Sequence, residues 1–105
     1  MRIIGGKLKG KQINFTKSSI TRPLRDAVKE SIFNILSHSN KIKVNIKNSY
    51  VLDLYSGVGS FGLECISRGA KKVTFIEKDK IVINKLNMSL KEYLITDKAA
   101  VFCEE

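Results

Sequence analysis

The residues best placed to do chemistry lie in Asp53-Leu54-Tyr55-Ser56-Gly57-Val58-Gly59-Ser60-Phe61-Gly62. Three glycines form a G-x-G-x-x-G run, Asp53 stands four residues ahead of it, and Glu77 follows Gly57 by twenty. Glycines at such a bend let the backbone approach a ligand closely. A carboxylate at Glu77's spacing can accept hydrogen bonds from ribose hydroxyls. The pattern therefore implies an adenosine-containing cofactor. Two classes compete for it. A nicotinamide dinucleotide sets its pyrophosphate against the helix N-terminus, where a carboxylate at Asp53 would repel it at short range. S-adenosyl-L-methionine carries no phosphate. Its ammonium group suits Asp53, and its carboxylate suits a helix N-terminus near Ser60. The residues favour the methyl donor, with a nicotinamide-binding Rossmann fragment as the alternative. Cofactor contacts are expected from Asp53, Tyr55, Gly57, Gly59 and Glu77.

These groups need strands and helices to hold them. Tyr50–Tyr55 is a short, nearly continuous apolar run, as expected of a buried parallel strand. A helix is predicted from about Ser60 to Arg68, with Gly69 at its C-terminal end, where positive φ is wanted. Lys72–Glu77 is a second, β-branched strand. Asp79 can cap a helix whose Ile83, Leu86, Leu90 and Tyr93 share a face. Ala99–Cys103 begins a third strand. This β-α-β-α-β order implies an α/β fold with a parallel sheet and right-handed crossovers. Ahead of it, Arg2–Ile4 and Lys11–Phe15 read as strands of a small hairpin around Gly5, Gly6 and Gly10. Pro23 opens a helix with an apolar stripe at Val28, Ile32, Ile35 and Leu36. Ser37–Ser49 reads as a basic linker. Two segments are expected: 1–48, a basic hairpin and helix facing RNA, and 49–105, the first half of a Rossmann-like cofactor-binding domain.

Charge separates the same two segments. Residues 1–48 carry eleven Lys/Arg against Asp26 and Glu30, leaving +9, whereas 49–105 carry eight of each sign and sum to zero. One-sided charge of this kind points to a polyanion partner docking on the first segment, and a non-catalytic basic RNA-binding module is a further alternative. Arg2, Lys7, Lys9, Lys11, Arg22 and Arg25 are the expected RNA contacts. No apolar run reaches the length of a membrane span, and the N-terminus lacks the features of a secretory signal. Cys65 and Cys103 have no metal-ligand spacing. They are expected to be two buried thiols of a cytoplasmic protein. His38 is expected to be a solvated helix-end residue. Packing roles are expected for Tyr50, Tyr55, Phe61 and Leu63.

Several stretches together resemble the RsmD family of bacterial 16S ribosomal RNA guanine-N2 methyltransferases. They are Met1-Arg2-Ile3-Ile4-Gly5-Gly6-Lys7-Leu8-Lys9-Gly10, Thr21-Arg22-Pro23, Glu30-Ser31-Ile32-Phe33-Asn34-Ile35-Leu36, Val51 through Glu64, and Ser67-Arg68-Gly69-Ala70. The resemblance implies a Rossmann-like S-adenosylmethionine-dependent methyltransferase fold, represented by its first three parallel strands. It also implies methylation of a guanine N2 in small-subunit rRNA, with 16S rRNA or a ribosomal assembly intermediate as partner. The Asp53–Gly59 loop would bind the methionine end of the cofactor, Glu77 the ribose, and Glu104 or Glu105 the adenine.

The sequence departs from this family at one point. Such enzymes use an Asn/Asp-Pro-Pro-Tyr/Phe motif to hold the target amine and stack on the flipped base. The single proline here is Pro23. No catalytic residue is assigned, and the chain is expected to be a truncated or split form, inactive alone and completed by a second polypeptide. In the family's sheet order the first strand is central, so one edge of Tyr50–Tyr55 is expected to lack a neighbour.

Overall fold

The computed structural model describes residues 1–15, 26–39, 41 and 44–104. Its regular elements run α1 (Asp26–His38), β1 (Tyr50–Leu54), α2 (Ser60–Ser67), β2 (Lys72–Glu77), α3 (Lys80–Glu92), a 3-10 turn (Thr96–Lys98) and β3 (Ala99–Cys103). The β-α-β-α-β reading holds, with strand order β1-β2-β3 and both pairs parallel.

Strand register explains how the site is carried. Val51 pairs with Val73 and Asp53 with Phe75, and Phe75 pairs onward with Val101. Paired residues point to the same face of a sheet. That face carries the buried Val73, Phe75 and Glu77, and it packs against Leu63 and Cys65 of α2 and Leu86 and Leu90 of α3. Asp79 caps α3 by accepting from Ile81 N and Val82 N, as expected. Val82, Leu86, Ser89 and Leu90 form the buried stripe of α3, while Ile83 and Tyr93 are only half-buried at its margins.

Beyond the sheet, α1 packs on α2: Phe33 stacks on Phe61 with centroids 5.2 Å apart, and the Arg68 guanidinium lies 4.6 Å from the Phe33 ring centroid. Ile3 and Ile13 from the N-terminal segment join the same core.

Four expectations are corrected. The N-terminal segment is not a two-stranded ladder; it has one antiparallel bridge, Arg2 to Gln12. Gly5 and Gly6 dock on the end of α2 instead, which diverts the chain from extended pairing. In α1 the buried residues are Lys29 and Phe33, with Ile32 and Leu36 half-buried, while Val28 and Ile35 stay exposed. A lysine sits on the inner face because a buried acid awaits it, so counting apolar residues misplaces the stripe. Asp53 alone is buried in β1, and Tyr50, Leu52, Leu54 and the following Tyr55 are exposed. Nothing among the described residues covers the second sheet face or the free edge of β1, so the apolar run and both tyrosines lie open. Cys65 is buried but Cys103, the last residue of β3 and the partner of Glu77 in the sheet, is exposed.

Candidate cofactor and RNA site

The loop between β1 and α2 is held from both sides by the two acids singled out by spacing. Asp53 Oδ2 accepts from Gly62 N at 3.1 Å. Glu77 Oε1 accepts from Gly57 N at 3.0 Å, while its Oε2 accepts from Lys78 N at 3.0 Å and Asp79 N at 2.9 Å. Both carboxylates stand at the C-terminal ends of neighbouring parallel strands, where ligands of open α/β sheets bind. Backbone bonds complete the bend: Ser56 N donates to Ile76 O and Gly59 N to Ser56 O.

The glycines meet specific requirements. Gly59 sits at φ +88°, and a Cβ there would come within 2.5 Å of Leu86 and 3.3 Å of the Phe75 ring. At Gly62 the same atom would lie 2.2 Å from Phe75. The third glycine of the run thus brings α2 close to β2, the helix–sheet role such a glycine has in nucleotide-binding turns. Gly57 (φ +58°) and Tyr55 (φ +55°) also take left-handed backbone, and the Tyr55 ring projects into solvent.

Burial pushes the Asp53 carboxyl up from 3.8 to about 6, against the opposing pull of the Gly62 N–H. Among the described residues no cation pairs with it. Asp53 is therefore a buried acid short of a positive partner. In the same bend the Ser56 hydroxyl is buried with no hydrogen-bond partner among the described residues. At the start of α2, the amides of Ser60 and Phe61 donate to no protein acceptor among the described residues, as first-turn amides cannot do so within the helix. The open helix amides suit either a carboxylate or a pyrophosphate, but the Asp53 carboxylate lacking a cation suits an ammonium group and disfavours a phosphate close to it. Metal-ligating clusters are not found among the described residues.

Among the described residues, the predicted RNA contacts are divided between separate depressions. Arg2 Nε pairs with Asp26 at 3.2 Å. Arg2 and Lys9 line a small depression with Glu30. Lys7 lines a different cleft at the other end of α2, and Lys11 is exposed. Arg22, Arg25, the whole Thr21-Arg22-Pro23 stretch and Glu105 lie outside the described residues. Glu104 continues β3, its N–H donating to Glu77 O. His38 ends α1 exposed, as expected, and Leu63 is core.

Sequence reasoning missed a third buried acid. Glu64 is fully buried and accepts from Ile4 N (2.9 Å), Gly5 N (2.8 Å) and Arg68 Nε (2.8 Å), with Lys29 Nζ at 3.4 Å. Lys29 also donates to Arg2 O at 2.6 Å and to Ser60 Oγ at 3.1 Å. This network ties the N-terminal segment and α1 to the first residue of α2, next to the glycine loop. A charged residue on the inner stripe of two helices was the available signal.

Three parallel strands, helices on one face and an acid-glycine-acid bend define an α/β Rossmann-like fold, one shared with solved methyltransferase structures. All of residues 1–105 match the family described as Conserved hypothetical protein 95, the RsmD family, and the chain belongs to it. The chain is 43% identical over 90 residues to ribosomal RNA small subunit methyltransferase D of Haemophilus influenzae, covering 86% of this chain and 44% of that protein. The solved structure of the Escherichia coli protein yhhF matches all of this chain and 52% of its own length, at 32% identity and TM-score 0.81. In fold alone the chain is similar to coclaurine N-methyltransferase bound to N-methylheliamine and SAH, at 18% identity and TM-score 0.57. The chain spans about half the length of the relatives it matches.

Proposed function

We propose that this chain is the cofactor-holding, RNA-facing portion of an S-adenosylmethionine-dependent methyltransferase that modifies a guanine N2 of 16S rRNA in the cytoplasm. The single observation that carries the reading is Asp53: a buried carboxylate without a cation, at the strand end that opens onto glycines and free helix amides. The named function of the Haemophilus influenzae relative supports an rRNA substrate. The RsmD resemblance supports guanine N2.

In this reading Asp53 accepts from the ammonium of the cofactor's amino-acid end, and that cation relieves the cost of burying the acid. The amides of Ser60 and Phe61 receive the carboxylate. Glu77 fixes the bend through Gly57 and retains lone pairs for ribose hydroxyls. When bound, the cofactor supplies an electrophilic methyl group on sulfur. The chain's own contribution is to orient that group and to keep the loop closed over it. Exposed lysines of residues 1–48, among them Lys7, Lys9 and Lys11, engage RNA phosphates, which sets affinity but not base choice. The proline motif expected for holding the target amine does not occur in these 105 residues, so no residue here is assigned to the transfer step.

Calorimetric titration of the chain with S-adenosylmethionine, S-adenosylhomocysteine and NADH tests the reading. Binding of the first two, lost in Asp53→Ala, is expected. Binding of NADH in their place would transfer the site to the dinucleotide class.

A further inference from the structure

The end of the sheet remote from the glycine loop carries a second concavity, and it is basic. β1 and β2 present Asp53 and Glu77 at their C-terminal ends, where α2 begins; α2 then runs back and ends at Ser67 near the strands' N-terminal ends. Eight helical residues separate the two ends by about 12 Å. Beyond the last turn of α2 lies a cleft of about 630 Å³ bordered by Lys7, Lys47, Arg68, Tyr93 and Lys98. No carboxylate lines it among the described residues.

A helix C-terminus ordinarily presents bare carbonyls and a partial negative charge. Here the last four are covered. Glu64 O accepts from Arg68 N, Cys65 O from Ala70 N, Ile66 O from Gly69 N and Ser67 O from Lys7 N, at 2.8–3.0 Å. The last of these needs Gly6, whose φ is +78° and whose Cβ would lie 2.0 Å from Ser67 O. The N-terminal turn thus quenches the negative end of α2 and sets Lys7 on the rim in one move. Arg68 is already held by Glu64 and by the Phe33 ring. Lys7, Lys47 and Lys98 are exposed, and among the described residues none is in an ion pair.

We propose that this cleft is a second RNA contact, gripping the phosphodiester backbone at the far end of α2 from the glycine loop. The inference rests on the RNA-modifying reading above and extends it. It assigns Lys47 and Lys98, which the basic N-terminal segment alone does not single out or does not contain. It also separates Lys7 from Arg2, which faces Asp26. RNA held here while one of its bases reaches the loop spans the length of α2. The cleft therefore adds affinity and orientation rather than base selectivity.

The test is fluorescence anisotropy of a labelled RNA stem-loop against the full chain and its Lys7→Gln/Lys47→Gln/Lys98→Gln variant, from about 50 to 200 mM salt. A Lys80→Gln/Lys85→Gln/Lys91→Gln variant on α3 removes the same three charges and controls for net charge, and circular dichroism and S-adenosylhomocysteine titration check folding and the cofactor loop. The triple variant is expected to lose on the order of ten-fold in affinity, and its log-log salt slope to become shallower by about 2, with cofactor affinity unchanged. An unchanged affinity and slope in the triple variant overturns the cleft while leaving RNA binding intact. RNA binding that the full chain lacks altogether overturns the RNA reading and the cleft together. A triple-variant loss matched by the α3 control also overturns it, because net charge then accounts for the effect.

Discussion

Lys29 Nζ lies 3.4 Å from Glu64 Oε1, and both side chains are fully buried. Arg68 and the amides of Ile4 and Gly5 complete the shell of the acid. A pair this deep gains much of its Coulomb energy only to offset lost hydration, so its presence says little about net stability. Breaking it from one side is another matter, since the survivor stays buried without its partner. Glu64→Ala is expected to destabilise the chain by about 3–5 kcal/mol, and Lys29→Met/Glu64→Leu to recover part of that loss. Urea unfolding followed by circular dichroism measures both. An effect of Glu64→Ala below about 0.5 kcal/mol, the range of ordinary surface changes, contradicts the account.

The glycines sort by what surrounds them. Gly6→Ala would drive a methyl into the Ser67 carbonyl, whereas Gly10, at φ +85°, has nothing within 4 Å of the same atom. Gly10→Ala is expected to show only the left-handed backbone cost of about 1–2 kcal/mol. Gly6→Ala is expected to exceed it clearly, by displacing the N-terminal turn from α2. Thermal melts of the two variants should separate, and equal shifts would refute the close approach.

Cys65 and Cys103 are expected to differ in reactivity. Burial, then the charges of Asp53 and Glu64, push the Cys65 thiol up to about 12, while Cys103 is exposed. Only the thiolate is nucleophilic. Ellman's reagent should therefore titrate one thiol in the native chain and both in denaturant. Rapid reaction of two thiols without denaturant would contradict the packing of α2.

Asp53 carries a stability–function conflict with a definite sign. Its folded value of about 6 lies above the ordinary 3.8, so the folded chain binds this proton more tightly than the unfolded chain. The group's contribution is most favourable below about pH 4 and is lost as pH rises to about 6, by at most about 3 kcal/mol. Asp53→Asn should remove that slope and raise the urea midpoint at neutral pH. It should also weaken S-adenosylmethionine, whose ammonium needs the ionised acid. In the unsubstituted chain, affinity is expected to rise with pH through about 6.

The sequence made the sheet and its loop legible because the signals there are local. Asp53, the glycine run and Glu77 are fixed by strand ends and by turns that only glycine tolerates, and Asp79 marks the start of α3 by itself. What escaped depends on contacts between distant residues. Lys29 on the inner face of α1 makes sense only beside Glu64, thirty-five positions later. Gly5 and Gly6 look like hairpin residues until α2 arrives to be capped. The exposure of Leu52 and Leu54 follows from which face the helices cover, which periodicity in a parallel strand does not reveal. The basic residues were visible as charge, but their division between the Arg2–Asp26 pair and the cleft of Lys7 was set by the fold.

Amide chemical-shift mapping of the isotope-labelled chain with S-adenosylmethionine tests the central claim most directly. The account expects saturable shifts at Asp53 through Gly62 and at Glu77 through Asp79, abolished by Asp53→Ala in a variant that keeps its fold. Amides of that bend unmoved at saturating ligand, or shifts confined to another surface, would contradict it.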